Sequence, residues 1–332
     1  MNRLHGPFSL AALLAAWLGA VAALGQPTPR EYRIAVVPKG ANQDYWEAIH
    51  AGALQAKREL ETPDLKIDIL WKGNAWRSEG KEQIQIVDNF TGRRLSGILV
   101  ASLEESDIEA QLTSGEGGLP FVYLDSSLRA DQAVTYVAVD NFQAGAMAAD
   151  RLGQLLEGEG NVILFRHESG NSNTEAREAG FLERLKRAYP DIRLLSIDQY
   201  ARSESSSAYQ GAEYLLNRYG RRVNGIFASS ELGAEAMLDA LRDFGYAGQV
   251  FLVGYNANPE TVQALRDGRA HGLLVMNPFE MGYLGVATLV ENLQGRNIPT
   301  MVESPVTLLT PGNLDSEKGR ELLRARGLAA GP

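Results

Sequence analysis

From residue 33 onward the chain alternates short, continuously apolar runs with longer stretches in which apolar residues recur every three or four positions. Residues 33–37 and 66–71 are rich in β-formers, and residues 97–101 and 120–124 are almost unbroken apolar runs. Between them, Trp46, Ile49, Ala53, Ala56 and Leu60 share one face of a helix predicted over residues 44–60, and further helices are predicted at 79–90 and from about Ser106. Apolar runs this short and continuous suit strands buried on both faces, so alternation with helices predicts a parallel sheet with right-handed crossovers. The pattern then restarts. Strands predicted at 135–139, 161–165, 192–197, 225–228 and 250–253 alternate with helices at 141–156, 174–189, 205–219, 231–244 and 259–266. No Pro/Gly/Ser-rich tether separates the two sets, so two domains sharing crossing segments are expected.

The first 25 residues follow another pattern. Arg3 precedes an apolar stretch at 7–24, and Ala23-Leu24-Gly25 offers the small residues of a cleavage site. This reads as a secretory signal peptide cleaved near Gly25, with the mature chain starting at Gln26. An uncleaved anchor is the alternative, weakened by the alanine content, Pro7 and Gly19.

Composition removes whole classes of chemistry. Lys plus Arg number 32 against 41 Asp plus Glu, a net charge of −9, so no basic surface for nucleic acid is expected. The chain has no cysteine and four histidines, His5, His50, His167 and His271, none at metal-ligand spacing. The glycine clusters Gly115-Glu-Gly-Gly118 and Gly158-Glu-Gly160 lack the order of a dinucleotide loop, and no nucleophile elbow occurs. No cofactor, metal or catalytic residue is expected.

Six blocks carry a resemblance: Arg33-Ile-Ala-Val-Val-Pro-Lys39, residues 42–46, Phe121-Val-Tyr-Leu-Asp125, Val139-Asp-Asn141, Glu175-Ala-Arg-Glu-Ala-Gly-Phe181 and Val253-Gly-Tyr-Asn256. In order and spacing, from about Arg33 to Thr310, they resemble bacterial periplasmic sugar-binding proteins of the ribose-binding type. Repressor sugar-sensing domains share that fold, but a repressor would begin with a basic helix-turn-helix where this chain carries an export signal. The resemblance implies two similar doubly wound parallel-sheet α/β lobes joined by a three-crossover hinge, with the ligand in the cleft between them. It places the crossovers near Val139-Asp140, Met276-Asn277 and Thr307-Leu308. The N-terminal lobe is then 33–139 plus 277–307, and the C-terminal lobe and tail 140–276 plus 308–320.

A sugar has an apolar C–H face and a rim of hydroxyls, so its site needs aromatic planes together with ionised or amide groups. By the resemblance, Tyr45 and Trp46 supply the planes, Gln43 an amide, Asp125 a hydroxyl acceptor, and Arg177 a fork of donors from the second lobe. Trp46 also fits the apolar face of its own helix. Ser126, Ser230, Asn256 and Met276 stand where ribose binders carry other residues, which argues against ribose itself. Lys39, with Leu-Asp-Ser after the fourth strand, is closer to the branch that binds rhamnose or the furanosyl autoinducer, whose second-lobe Asp-Gln pair is matched here only by Asn173-Thr174. The implied protein is a periplasmic monomer, not an enzyme, that captures a small sugar-like ligand for the membrane permease of an ABC importer. A ligand-sensing subunit for a membrane receptor or sensor kinase is the alternative.

Overall fold

The computed structural model describes residues 29–39, 44–73, 80–101, 105–113, 118–125 and 133–328. The expected signal peptide, Gln43 and Ser126 lie outside them. Strands β1 (Arg30–Val37), β2 (Leu65–Trp71), β3 (Gly97–Val100), β4 (Phe121–Leu124), β5 (Thr135–Ala138) and β11 (Met301–Glu303) form one sheet in the order β11-β5-β4-β3-β1-β2, all neighbours parallel. A second sheet repeats that order with β6 (Gly160–Arg166), β7 (Ile192–Tyr200), β8 (Gly225–Ala228), β9 (Phe251–Tyr255), β10 (Gly272–Met276) and β12 (Val306–Leu309), as β12-β10-β9-β8-β6-β7. Here β12 alone runs antiparallel to its neighbour. β3, β4 and β8 are buried at every position, as unbroken apolar runs between two helical layers require.

The first lobe carries helices α1 (Asp44–Leu60), α2 (Gly80–Thr91) and α3 (Glu105–Thr113) between its strands. The second carries α4 (Asn141–Leu155), α5 (Ser172–Ala188), α6 (Ser205–Tyr219), α7 (Glu231–Asp243) and α8 (Pro259–Arg266). Helix α9 (Pro278–Leu293) returns to pack on α1 and the first sheet. The chain therefore crosses between sheets at Val139-Asp140, at Asn277 and at Ser304-Pro305. The last crossing precedes the expected Thr307-Leu308, because Thr307 and Leu308 already pair with Val275 and Leu274 in the second sheet. The tail also extends beyond the expected end at residue 320. Helix α10 (Glu317–Ala325) buries Leu322 and Leu323 in the core of the second lobe.

An inner apolar cluster continues from the first sheet through Val139 and Met276 into the second, while separate outer clusters fill the far side of each lobe. In a doubly wound sheet of this strand order, crossovers on either side of β1 and of β6 leave the chain in opposite directions. That opens a crevice beyond the carboxyl ends of the strands, and both crevices face the cleft.

Candidate ligand-binding cleft

The cleft residues sit where the strands end. Lys39 follows β1, Asp125 follows β4, His167 follows β6, Ser230 lies two residues past β8, Asn256 follows β9, and Met276 closes β10. Tyr45 and Trp46 lie on the first turn of α1, Asn141 opens α4, and Asn173, Thr174 and Arg177 occupy the first turns of α5. With Asn171, Glu231, Tyr255 and Arg326 they line one cavity of about 430 Å³. Eight of the residues expected from the sequence are thereby brought together: Lys39, Tyr45, Trp46, Asp125, Arg177, Ser230, Asn256 and Met276.

Backbone constraints fix several of these positions. Asp125 and Asn256 adopt φ of 52° and 63°, a left-handed conformation that turns the chain sharply at the strand end. Asn171 and Ser230 are helix N-caps, accepting from Thr174 N and Gly233 N, each at 3.1 Å. Part of their hydrogen-bonding capacity is thus used locally.

Arg177 is the centre of the second-lobe wall, only 3% exposed. Its Nη1 donates to Ser229 O and its Nη2 to Asn141 Oδ1 at 2.6 Å, while the guanidinium carbon lies 3.1 Å from the centroid of the Tyr255 ring. The expected fork is therefore partly engaged by the protein itself, and Nε is buried without a partner. Burial works against the guanidinium charge and lowers its pKa, opposed by Tyr255, Glu178 and Asp125. Asn141 passes the network on, its Nδ2 donating to Asn173 Oδ1 at 3.2 Å. Behind the wall, the buried Glu178 carboxylate accepts from Arg166 Nε at 2.6 Å, Ser229 Oγ at 2.7 Å and His167 N at 3.1 Å. One carboxylate ties together the loops after β6 and β8.

On the first-lobe side, Tyr45 meets Trp46 edge to face at 4.9 Å and 83°, and its hydroxyl approaches Met281 Sδ at 3.7 Å. Burial, then the nearby Asp125 charge, raises the Tyr45 phenol well above its ordinary pKa, so it stays a neutral donor. Burial likewise raises Tyr255. Trp46 lies on the apolar face of its helix, 4% exposed in the inner core, and it also borders the cavity. Trp71 instead stacks on His50, 4.4 Å between ring centroids, and does not line this cavity.

Among the described residues no group of three or more potential metal ligands occurs, and no helix is long and apolar enough to cross a membrane. What the geometry offers is a polar cavity with aromatic and amide groups, walled from two lobes. Residues 34–297 match the periplasmic binding protein domain family. The chain belongs to that family. The binding protein is 26% identical over 277 residues to the D-allose-binding periplasmic protein of Escherichia coli, covering 80% of this chain and 86% of that one. It is 24% identical over 254 residues to the xylitol-binding protein of Mycolicibacterium smegmatis, covering 75% and 70%. In fold it is similar to a sugar ABC transporter (sugar-binding protein) from Bacillus halodurans, with a TM-score of 0.78, 23% identity, and coverage of 86% and 99%.

Sequence reasoning about this binding protein missed Asn141, His167, Asn171, Glu231, Tyr255 and Arg326 as cleft residues. Asn171 could have been found, since Asn171 three residues before Thr174 is a capping pattern at a predicted helix start. Asn141 and Tyr255 lie inside quoted blocks. Arg326 gives no local signal, because only the path of the tail brings it to the cleft.

Proposed function

We propose that this protein is an exported, monomeric receptor that captures a monosaccharide or polyol between its lobes and delivers it to the membrane permease of an ABC importer, without catalysing a reaction. The observation that carries this reading is the shared wall. Tyr45, Trp46 and Asp125 from one lobe and Arg177, Ser230 and Asn256 from the other border a single cavity of about 430 Å³. Amides of Asn141, Asn173 and Asn256 can each donate and accept, which suits vicinal hydroxyls, while Trp46 and Tyr45 suit a C–H face. Lys39, Gln43, Ser126 and Met276 complete the proposed binding set. The first lobe is assigned up to Val139 and from Asn277 to Ser304, and the second takes the intervening residues and the tail. The xylitol and D-allose named for two relatives are the first ligands to try.

Binding follows from differential affinity: a ligand that touches both walls only when the lobes are together stabilises the closed form. The test is a thermal-shift and calorimetric screen of pentoses, hexoses and polyols on the purified protein. A ligand present at a hundred times its dissociation constant stabilises by about 2.7 kcal/mol. A screen in which no saccharide or polyol shifts the melt would reject the reading.

A further inference from the structure

Helix α10 starts on a Ser316 cap that accepts from Gly319 N at 3.1 Å, and it is held to the second lobe by Leu322 and Leu323. Gly327, at φ 69°, turns the chain away from the helix end. That leaves Arg326, at its C-cap, on the wall of the cleft, its side chain only 10% exposed. It also lies near the first lobe. The Tyr45 phenol, raised by burial and by Asp125, is pulled back down by the Arg326 charge, among other influences.

The contacts that hold this guanidinium are all long. Nη2 lies 3.3 Å from Glu231 Oε2 and 3.4 Å from Ala257 O, and Nη1 lies 3.5 Å from Asn256 Oδ1, whereas amide and guanidinium donors settle near about 2.9 Å. Nε has no partner at all. By contrast, Arg166 meets Glu178 and Arg177 meets Asn141 at 2.6 Å each. A desolvated cation held loosely on three sides, with a donor left over, is positioned to gain from a further acceptor.

We propose that Arg326, delivered by the C-terminal helix, is a ligand-binding residue of the cleft, donating to a hydroxyl or carboxylate oxygen of the bound molecule. The inference rests on the saccharide reading above and adds to it a contact from outside the two repeated α/β units. Lysine at this position would keep the charge but lose the planar fork that spans Glu231, Asn256 and the ligand at once.

The test titrates D-allose, D-ribose, xylitol and D-gluconate calorimetrically into the wild-type protein and the Arg326→Ala, Arg326→Lys and Arg324→Ala variants. Arg324 is exposed two residues earlier and lies outside this cavity, so it controls for disturbance of the helix. Wild-type protein should bind at least one of the four. Arg326→Ala should weaken that binding roughly ten- to hundredfold, Arg326→Lys should recover only part of it, and Arg324→Ala should stay within about twofold. A larger loss for D-gluconate than for neutral ligands identifies a carboxylate as the acceptor, and equal losses identify a hydroxyl. Binding that is unchanged in Arg326→Ala, or reduced equally by Arg324→Ala, overturns the inference alone. If the wild type binds none of the four and no other pentose, hexose or polyol of the screen above, the saccharide reading falls and takes the inference with it.

Discussion

A guanidinium lying under the face of Tyr255, with its terminal nitrogens donating to Ser229 O and Asn141 Oδ1, cannot be deleted without leaving those buried acceptors unpaired. Arg177→Ala should therefore do two things at once. It should lower stability by about 1–3 kcal/mol for each unpaired group, seen as a lower melting temperature, and weaken ligand binding by at least tenfold in calorimetry. Arg177→Lys should restore little of either, because an ammonium cannot span both acceptors. An unaltered melt and affinity would place Arg177 outside both roles. His271 gives a pH prediction away from the cleft. Burial, and then the Arg151 charge, lowers its pKa, and its Nδ1 accepts from Leu252 N at 3.2 Å, which requires the neutral ring. The unfolded chain then takes up this proton before the native state does. The His271 contribution to stability is thus fully present above about pH 6.5, the ordinary histidine pKa, and is lost as pH falls through the depressed native value. His271→Asn should flatten the decline in melting temperature between pH 7 and pH 5, and an unchanged slope would reject the assignment. Tyr45, Trp46, Asp125 and Arg177 were legible in the sequence because each sits in a block with its strand or helix. His167 was not, since a lone polar residue after a strand reads equally well as a solvated loop, and Glu231 was not, since an acid in the first turn of a helix reads as a partner of the helix dipole.

Helices α4 and α5 approach so closely that a Cβ on Gly145 would lie 1.8 Å from Arg177 O, and one on Gly180 would lie 1.9 Å from Phe142 O. The pair of helices α1 and α9 repeats the device in the first lobe, with Gly52 against Phe279 O and Gly282 against Ile49 O. Gly145→Val must push α5 outward and carry the Arg177 backbone with it. It should cost several kcal/mol by overpacking and reduce ligand affinity, whereas Gly92→Ala, with nothing within 4 Å of the added carbon, should leave both unchanged. Thermal denaturation and calorimetry on the two variants decide it, and a harmless Gly145→Val would mean that the helices can separate without consequence. At this scale most elements were readable. α1, α6, β8 and α8 begin and end where the hydrophobic spacing puts them; α8 opens on a capping box between Asn258 and Thr261, and Gly220 at φ 52° stops α6. The last crossover was expected three residues late, near Thr307-Leu308, because β11 and β12 are very short and nothing local says that they join different sheets on either side of Ser304-Pro305.

For the whole molecule, the two walls of the cleft belong to different sheets, so a ligand small enough for the cavity can touch both only when the lobes approach. Small-angle scattering should show a smaller radius of gyration once a tight ligand is added, and Trp46 emission should change in the same titration, with Trp46→Phe abolishing the change. A tight ligand that altered neither would require the lobes to be fixed in one arrangement. The strand order has a further consequence, for the sequence of events in folding. The first sheet needs β11 to pair with β5 and α9 to cover it, and both are made only after the whole run from β6 to β10. A growing chain that has reached residue 276 has nearly all of its second lobe but an unfinished first one, with Gly52 still lacking the α9 backbone it packs against. The half that begins the chain is thus completed only after nearly all of the other has been made, with β12 and α10 of the second lobe still to follow, and its closure is a contact between segments more than 160 residues apart, such as Thr135 Oγ1 donating to Pro299 O.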